Sequence, residues 1–201
     1  MHYLTKLFLD AAALRKENIR DDYSIHRLVY SLFPLEQKRS RFLYADKGPV
    51  RGGRLLLVLS EKEPNVPEYL TSATTIISEN FFRFSDYRFE IDLNPVKKEK
   101  ESGKRRAVTG QLDLLNWFIA HSGKWGFQAD THSLEVSAKP TRQFSKGGTV
   151  CTFNHAFFRG SLHVTDQEKF RESFFAGLGH GKAFGFGLLQ LLPISNATII
   201  K

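Results

Sequence analysis

Apolar residues alternate with polar ones from Tyr3 to Leu9, which predicts a first strand. The period then changes. From Tyr23 to Phe33 the apolar positions recur at helical spacing: Ile25, Leu28, Val29 and Leu32 fall within one arc of about 100°, and Tyr23, His26, Arg27 and Tyr30 occupy the opposite arc. Asp21 and Asp22 supply a cap and an acidic first turn, and Pro34 stops the helix. The expected result is a helix that buries its aliphatic side and shows solvent a Tyr-His-Arg-Tyr face. Two strands follow, Arg41 to Ala45 and Arg54 to Ser60, around a Gly-Pro and Gly-Gly connection. The second is apolar almost throughout and suits a central place in a sheet. Pro64 and Pro67 break the chain before a short helix predicted near Glu68 to Ser72 and a strand from Thr74 to Ile77.

From Phe81 a similar order begins again. Phe82, Phe84, Tyr87, Phe89, Ile91 and Leu93 predict a long strand, with a bulge at Ser85 and Asp86 and an end at Asn94-Pro95. Gln111 to His121 reads as a helix with Leu112, Leu115, Trp117, Phe118 and Ile119 available for packing. Phe127 to Ala129, Leu134 to Lys139 and Val150 to Val164 read as strands, the last two separated by the basic, glycine-rich stretch Arg142 to Gly148. Asp166 caps a helix from Gln167 to Phe175 that buries Phe170, Phe174 and Phe175, and Leu188 to Leu192 makes a final strand before Pro193. Each half therefore runs β-α-β-β-α-β. The fold class expected is α+β, with tandem ferredoxin-like (RRM-like) modules spanning 1–80 and 81–201. The duplication is one of element order, without a residue-level repeat. Such a scaffold hosts many activities, so function has to be read from side chains.

Composition narrows the field. Among 201 residues, 41% hydrophobic and 13% aromatic is ample material for packed cores and argues against a disordered chain. A net charge of +8 and an isoelectric point near 9.6 favour a polyanionic partner, RNA or DNA ahead of an anionic membrane surface. The single cysteine, Cys151, forbids an internal disulfide and fits a reducing compartment; within an apolar strand it reads as core filling. The amino terminus lacks a cationic region followed by an apolar run, and no apolar run nears the roughly 20 residues of a membrane span, so a cytoplasmic protein without a membrane partner is expected.

Three features carry candidate chemistry. A histidine side chain ordinarily titrates near neutrality, and His26 lies at helical spacing from Tyr23 and Tyr30, which groups three hydrogen-bonding side chains on one face. The alternative is a surface histidine on a solvated helix. Lys97, Lys98, Lys100, Lys104, Arg105 and Arg106 surround Ser102-Gly103 and read as a basic hairpin or loop, with Lys139, Arg142 and Lys146 as a second basic segment. The third is Gly177 to Gly187, where five of the chain's 15 glycines accompany Lys182. A backbone so free of Cβ atoms can approach another backbone or a phosphate closely. A Walker loop would need Gly at 176 and Ser or Thr at 183, where the chain has Ala176 and Ala183. A dinucleotide fingerprint would need Gly in place of Lys182 or Phe184. Nucleotide cofactors are thus not expected. The seven histidines show no HxxxH or HxH spacing and Cys151 has no CxxC partner, so no metal is expected either. If the basic segments share a face with the Lys182 loop, that face tracks a nucleic-acid backbone.

Taken together, Tyr23-Ser-Ile-His26-Arg27, Asn94-Pro95-Val-Lys97 leading into a basic hairpin, and the terminal Gly-rich stretch with Lys182 and Leu188-Leu189 resemble the CRISPR repeat-cleaving endoribonucleases of the RAMP superfamily, specifically the processing subunit of type I-E Cascade. The resemblance implies a protein that needs no cofactor or metal, binds the CRISPR repeat RNA stem-loop, cuts at its 3′ base and stays with other Cascade subunits. In that chemistry the ribose 2′-OH attacks the adjacent phosphate and leaves a 2′,3′-cyclic phosphate and a 5′-OH. The matching positions make His26 the general acid or base and Tyr23 its hydrogen-bonding companion at the reacting groups. They set Gly179, Gly181 and Lys182 against RNA phosphate and send Lys97 to Arg106 into the stem's groove, with Arg27, Lys139, Arg142 and Lys146 as further RNA contacts. Two departures stand out. Ser31 replaces a lysine that some relatives carry beyond the histidine, so a stabilising cation has to come from elsewhere, Arg27 or Lys38. His180 replaces a proline common at its position. RAMP proteins also include non-catalytic RNA-binding and scaffold subunits, and that reading stays open beside the enzymatic one.

Overall fold

The run Leu55-Leu56-Leu57-Val58-Leu59 is apolar on both faces because both of its faces are covered. It lies in β3 (Gly53–Ser60), between β1 (Tyr3–Asp10) and β2 (Phe42–Val50), in an antiparallel sheet of order β2-β3-β1-β4 completed by β4 (Thr71–Ile76). Leu56 and Val58 join Leu7, Leu9 and Tyr44 under the helices of the first module, whereas Leu59, with Leu43 and Ala45, packs into the core of the second. Alternation along a strand thus binds one sheet to two cores. The structure, a computed structural model, describes residues 1–34, 42–99, 101, 103–146 and 149–195, with residues 145, 146 and 149 described by backbone alone. Lys38, Lys100, Arg41 and the side chain of Lys146 lie outside the described residues.

The first module has α1 (Ala11–Lys16) and α2 (Asp22–Ser31) between β1 and β2. Asp21 caps α2 as expected: its carboxylate accepts from Ser24 N at 2.8 Å, and the Ser24 hydroxyl accepts from Asp21 N at 3.1 Å. Ile25, Leu28, Val29 and Leu32 are buried beneath it. The short α1, capped by Asp10, is an addition to the expected order. The helix expected near Glu68 to Ser72 does not form. Pro64 and Pro67 remove two backbone donors, and from Thr71 the chain pairs with Phe8 of β1 instead.

The second sheet has the order β11-β5-β10-β8, with β9 also paired to β10. Its strands are β5 (Asp86–Leu93), β8 (Phe127–Ala129), β9 (Glu135–Lys146), β10 (Thr149–Val164) and β11 (Gln190–Pro193), and α3 (Gln111–Ser122) and α4 (Gln167–Ala176) cover one face. The two sheets together make the tandem ferredoxin-like α+β fold. The short β6 (Val96–Lys98) and β7 (Arg105–Ala107) form the basic hairpin.

Several local expectations are corrected. The strand expected from Phe82 starts at Asp86, because Ser78 caps a 3-10 turn over Glu79–Phe82 that drives Phe82 into the second core. Arg142 to Lys146 belongs to β9 rather than to a separator, with Arg142 opposite Phe153. Cys151 is exposed, since the first residues of β10 extend beyond β5 and pair with β9 alone. On α3 Trp117 and Phe118 are buried and Leu115 packs against the core as expected, Leu114 joins them, and Leu112 and Ile119 are exposed, at 71% and 39%. The final strand begins at Gln190, two residues later than expected.

Candidate active site

The capping box fixes where α2 starts, and with it the direction in which His26 projects. Opposite His26 comes a segment from the far end of the chain, a 3-10 turn over Lys182–Phe184 inside the glycine stretch. His26 Nδ1 lies 2.6 Å from the carbonyl oxygen of Ala183. A carbonyl oxygen only accepts, so Nδ1 carries the hydrogen and proton exchange falls to Nε2. The ring is bracketed by Phe184 (5.2 Å between centroids), Tyr30 (5.8 Å) and Tyr23 (6.0 Å). Phe184 is itself held by Phe144 of β9 and Phe153 of β10, at 4.4 and 5.1 Å. The face expected to meet only solvent is therefore half covered by the second module.

A recess of about 540 Å³ opens on this face, lined by Tyr23, His26, Arg27 and Tyr30 together with Glu17 and Ser31. Arg27 is exposed at its rim. Ser31, where a lysine was missing, spends its hydroxyl on Leu28 O at 2.8 Å. A histidine with one fixed nitrogen, two phenols and a guanidinium make a set suited to moving a proton beside an anion.

The glycines let the loop pack closely against its neighbours. Gly187 has φ +86° and a Cβ there would lie 2.3 Å from Leu178 O, which is hydrogen-bond territory for the backbones that close the loop, Leu178 N to Gly187 O at 2.9 Å. At Gly185 a Cβ would meet the Tyr44 ring of the first module at 2.8 Å. Gly181 faces Phe186 and Phe153, and Gly179 faces Leu93. Lys182 Nζ donates to Ala176 O at 2.7 Å, closing the carboxyl end of α4. Arg142 is turned inward as well, and with Lys139 it lines a separate recess of mixed charge that includes Asp22, Asp46, Asp92 and His155. Sequence alone carried no sign of Ala183 and Phe184, since a backbone carbonyl and one phenylalanine among 18 have no chemical signature.

The hairpin behaves differently. Lys97 pairs across with Arg106, and Lys98 with Arg105, so like charges stand directly opposite each other. The Glu99 to Arg106 ion pair offsets part of this. Asn154 Nδ2 ties the hairpin's base to β10 through Pro95 O (3.2 Å) and Val108 O (2.7 Å), and Trp117 Nε1 donates to Val96 O at 3.1 Å. Burial, followed by the charges of Arg105, Lys182 and His121, holds His180 below the ordinary histidine value. Hairpin, α3 end and glycine loop thus share one electropositive neighbourhood.

Fold and site define a class: a tandem ferredoxin-like protein whose first-module histidine is completed by the glycine loop of the second. The chain belongs to the family described as CRISPR associated protein, whose profile matches residues 2–193. It is 27% identical to the CRISPR-associated endoribonuclease Cse3 of Thermus thermophilus over 95% of this chain and 100% of that protein. It is 24% identical to the CRISPR system Cascade subunit CasE of Escherichia coli, over 94% of this chain and 100% of that one. The structure of Thermus thermophilus Cse3 bound to an RNA representing a pre-cleavage complex is similar at a TM-score of 0.78 with 26% identity, covering 96% of this chain and 99% of that one. No helix among the described residues is long and apolar enough to cross a membrane.

Proposed function

We propose that this chain is a metal-independent endoribonuclease that binds a CRISPR repeat stem-loop, cuts precursor CRISPR RNA and remains with its product in a Cascade-like complex. The observation that carries the reading is the His26 to Ala183 contact, which fixes the tautomer of an imidazole that lines a recess with Tyr23, Tyr30 and Arg27. In the reaction a ribose 2′-oxygen bonds to the adjacent phosphorus while the bond to the 5′-oxygen breaks. One proton leaves the 2′-OH and one reaches the 5′-oxygen, giving a 2′,3′-cyclic phosphate and a 5′-OH. His26 handles one of these protons, a contribution of about 10²- to 10⁴-fold. Holding the 2′-oxygen in line with the leaving oxygen supplies much of the remainder. Tyr23 hydrogen-bonds at the reacting groups and Arg27 faces the phosphate charge. The like-charged hairpin takes up stem phosphates, and the RNA-bound Cse3 structure and the Cascade subunit CasE support both the substrate and the complex.

The test uses repeat RNA in EDTA. One cut is expected, and replacing the 2′-OH next to that bond by 2′-H abolishes it. Equal cleavage of the deoxy substrate refutes the chemistry. Tight binding without any cut, across several repeat sequences, makes the chain a non-catalytic RNA-binding subunit instead.

A further inference from the structure

Arg142 stands in β9, opposite Phe153, and its side chain is only 14% exposed. Two contacts account for that burial. Its Nε lies 3.6 Å from Oδ2 of Asp22, and its guanidinium carbon lies 4.9 Å from the centre of the Phe186 ring. Asp22 opens α2 and precedes His26 by one helical turn on the same side. Phe186 follows Ala183 by three residues. Arg142 therefore holds, from a third segment, both segments whose meeting is the His26 to Ala183 hydrogen bond.

The seam has little slack. A Cβ at Gly185 would lie 2.8 Å from Tyr44 Cε2 and 3.4 Å from Arg142 Nη1, and Tyr44 beneath it is 1% exposed. Its hydroxyl is buried, with no hydrogen-bond partner among the described residues. A planar guanidinium can stack on a ring while its edge faces a carboxylate; an ammonium brings the charge without the plane.

We propose that Arg142 is a positioning residue for His26. It fixes α2 against the glycine loop at the separation where Ala183 O holds the Nδ1 hydrogen, so that the imidazole keeps one tautomer in the wall of the recess. The kinetic side of this inference rests on the proposed endoribonuclease reading; the structural side does not. Loss of Arg142 frees the imidazole from one tautomer and lowers the rate at which bound RNA is cut, and it leaves affinity nearly as it was.

The experiment uses the full chain and the variants Arg142→Met, Arg142→Lys and Asp22→Asn. Ring-nitrogen NMR of His26 without RNA is expected to show the Nδ1-protonated tautomer in the wild type, a mixture of tautomers in Arg142→Met, and an intermediate result in Arg142→Lys. Single-turnover cleavage at saturating repeat RNA is expected to fall about 10- to 100-fold in Arg142→Met, with Kd changed by less than about threefold. An unchanged tautomer and rate overturn the proposal, as does a Kd that weakens in step with the rate, which would make Arg142 an RNA contact. Asp22→Asn removes the ionic partner without touching β9; should Arg142→Met not fold, an unchanged His26 tautomer in Asp22→Asn overturns the proposal by itself. A wild type that binds RNA and never cuts it would defeat the endoribonuclease reading, while the NMR result would still decide for or against positioning.

Discussion

His26 Nδ1 and the carbonyl oxygen of Ala183 meet at 2.6 Å although 157 positions separate them in the chain. The hydrogen bond runs from the first module to the loop of the second, so the orientation of the imidazole depends on how the two modules sit together. Substituting the ring tests what it does there. His26→Ala is expected to cut bound repeat RNA about 10²- to 10⁴-fold more slowly in single turnover, with Kd changed by less than about threefold. Wild-type cleavage by that variant would remove His26 from the chemistry.

The hairpin makes a second case. Lys98 and Arg105 face each other across β6 and β7, in a two-stranded ribbon of three residues per strand. Opposed like charges weaken so small a ribbon, and a polyanion relieves them. Lys98→Ala with Arg105→Ala is therefore expected to leave thermal stability unchanged or slightly raised. The same change weakens RNA binding and lowers the slope of log K against log salt by about 2. Titrations at several salt concentrations measure this, and an unaltered slope would place the RNA elsewhere.

Glycine need not mean anion. Gly187 has φ +86° and no room for a Cβ beside Leu178 O, whereas Gly48 has φ +74° and nothing within 4 Å. Gly48→Ala is expected to lose only the conformational cost, about 1 kcal/mol, and Gly187→Ala at least about 2 kcal/mol, because the obstructing atom is backbone. In a chain of this size the latter is a fall of roughly 4 to 8 °C in Tm. Calorimetry on both variants decides, and equal effects would mean the loop yields more readily than its geometry indicates.

These outcomes bear on what the sequence could disclose. Helix α2 was legible because cap, period and stop agree at Asp21, Ile25 to Leu32 and Pro34. The basic hairpin was legible from its charges around Ser102-Gly103. The region from 61 to 85 was not: Phe82 and Phe84 mimic strand alternation, yet a capped 3-10 turn over Glu79–Phe82 puts Phe82 in the core. Arg142 showed only its charge in the sequence, since a guanidinium leaves the same trace whether it faces solvent or is stacked on Phe186. The packing role of the glycine stretch was hidden likewise, because a missing Cβ leaves the same trace for a phosphate as for Leu178 O. Neither set of internal contacts can be foreseen without knowing which segments lie together in space.

His180 joins the loop to pH. Burial, then Arg105, Lys182 and His121, hold its ring below the ordinary value of 6.5. The folded chain thus disfavours the charged ring, and as pH falls through 6.5 the unfolded chain binds more protons than the folded one; the residue's contribution to stability is complete above 6.5 and declines below it. Repeat RNA reverses the sign at this position. A phosphate beside the same cations favours the imidazolium, so binding takes up a proton and affinity rises as pH falls through that window. His180→Gln keeps the polarity and removes the titration. Its RNA affinity is expected to depend on pH less steeply than the wild type's, and the difference between the two curves isolates His180 from His26 and His121, which both proteins retain. An NMR titration gives the companion reading, a His180 midpoint below 6.5 in the free protein that moves upward with RNA bound. Parallel affinity curves for the two proteins would take His180 out of the phosphate's reach and leave RNA binding to the hairpin.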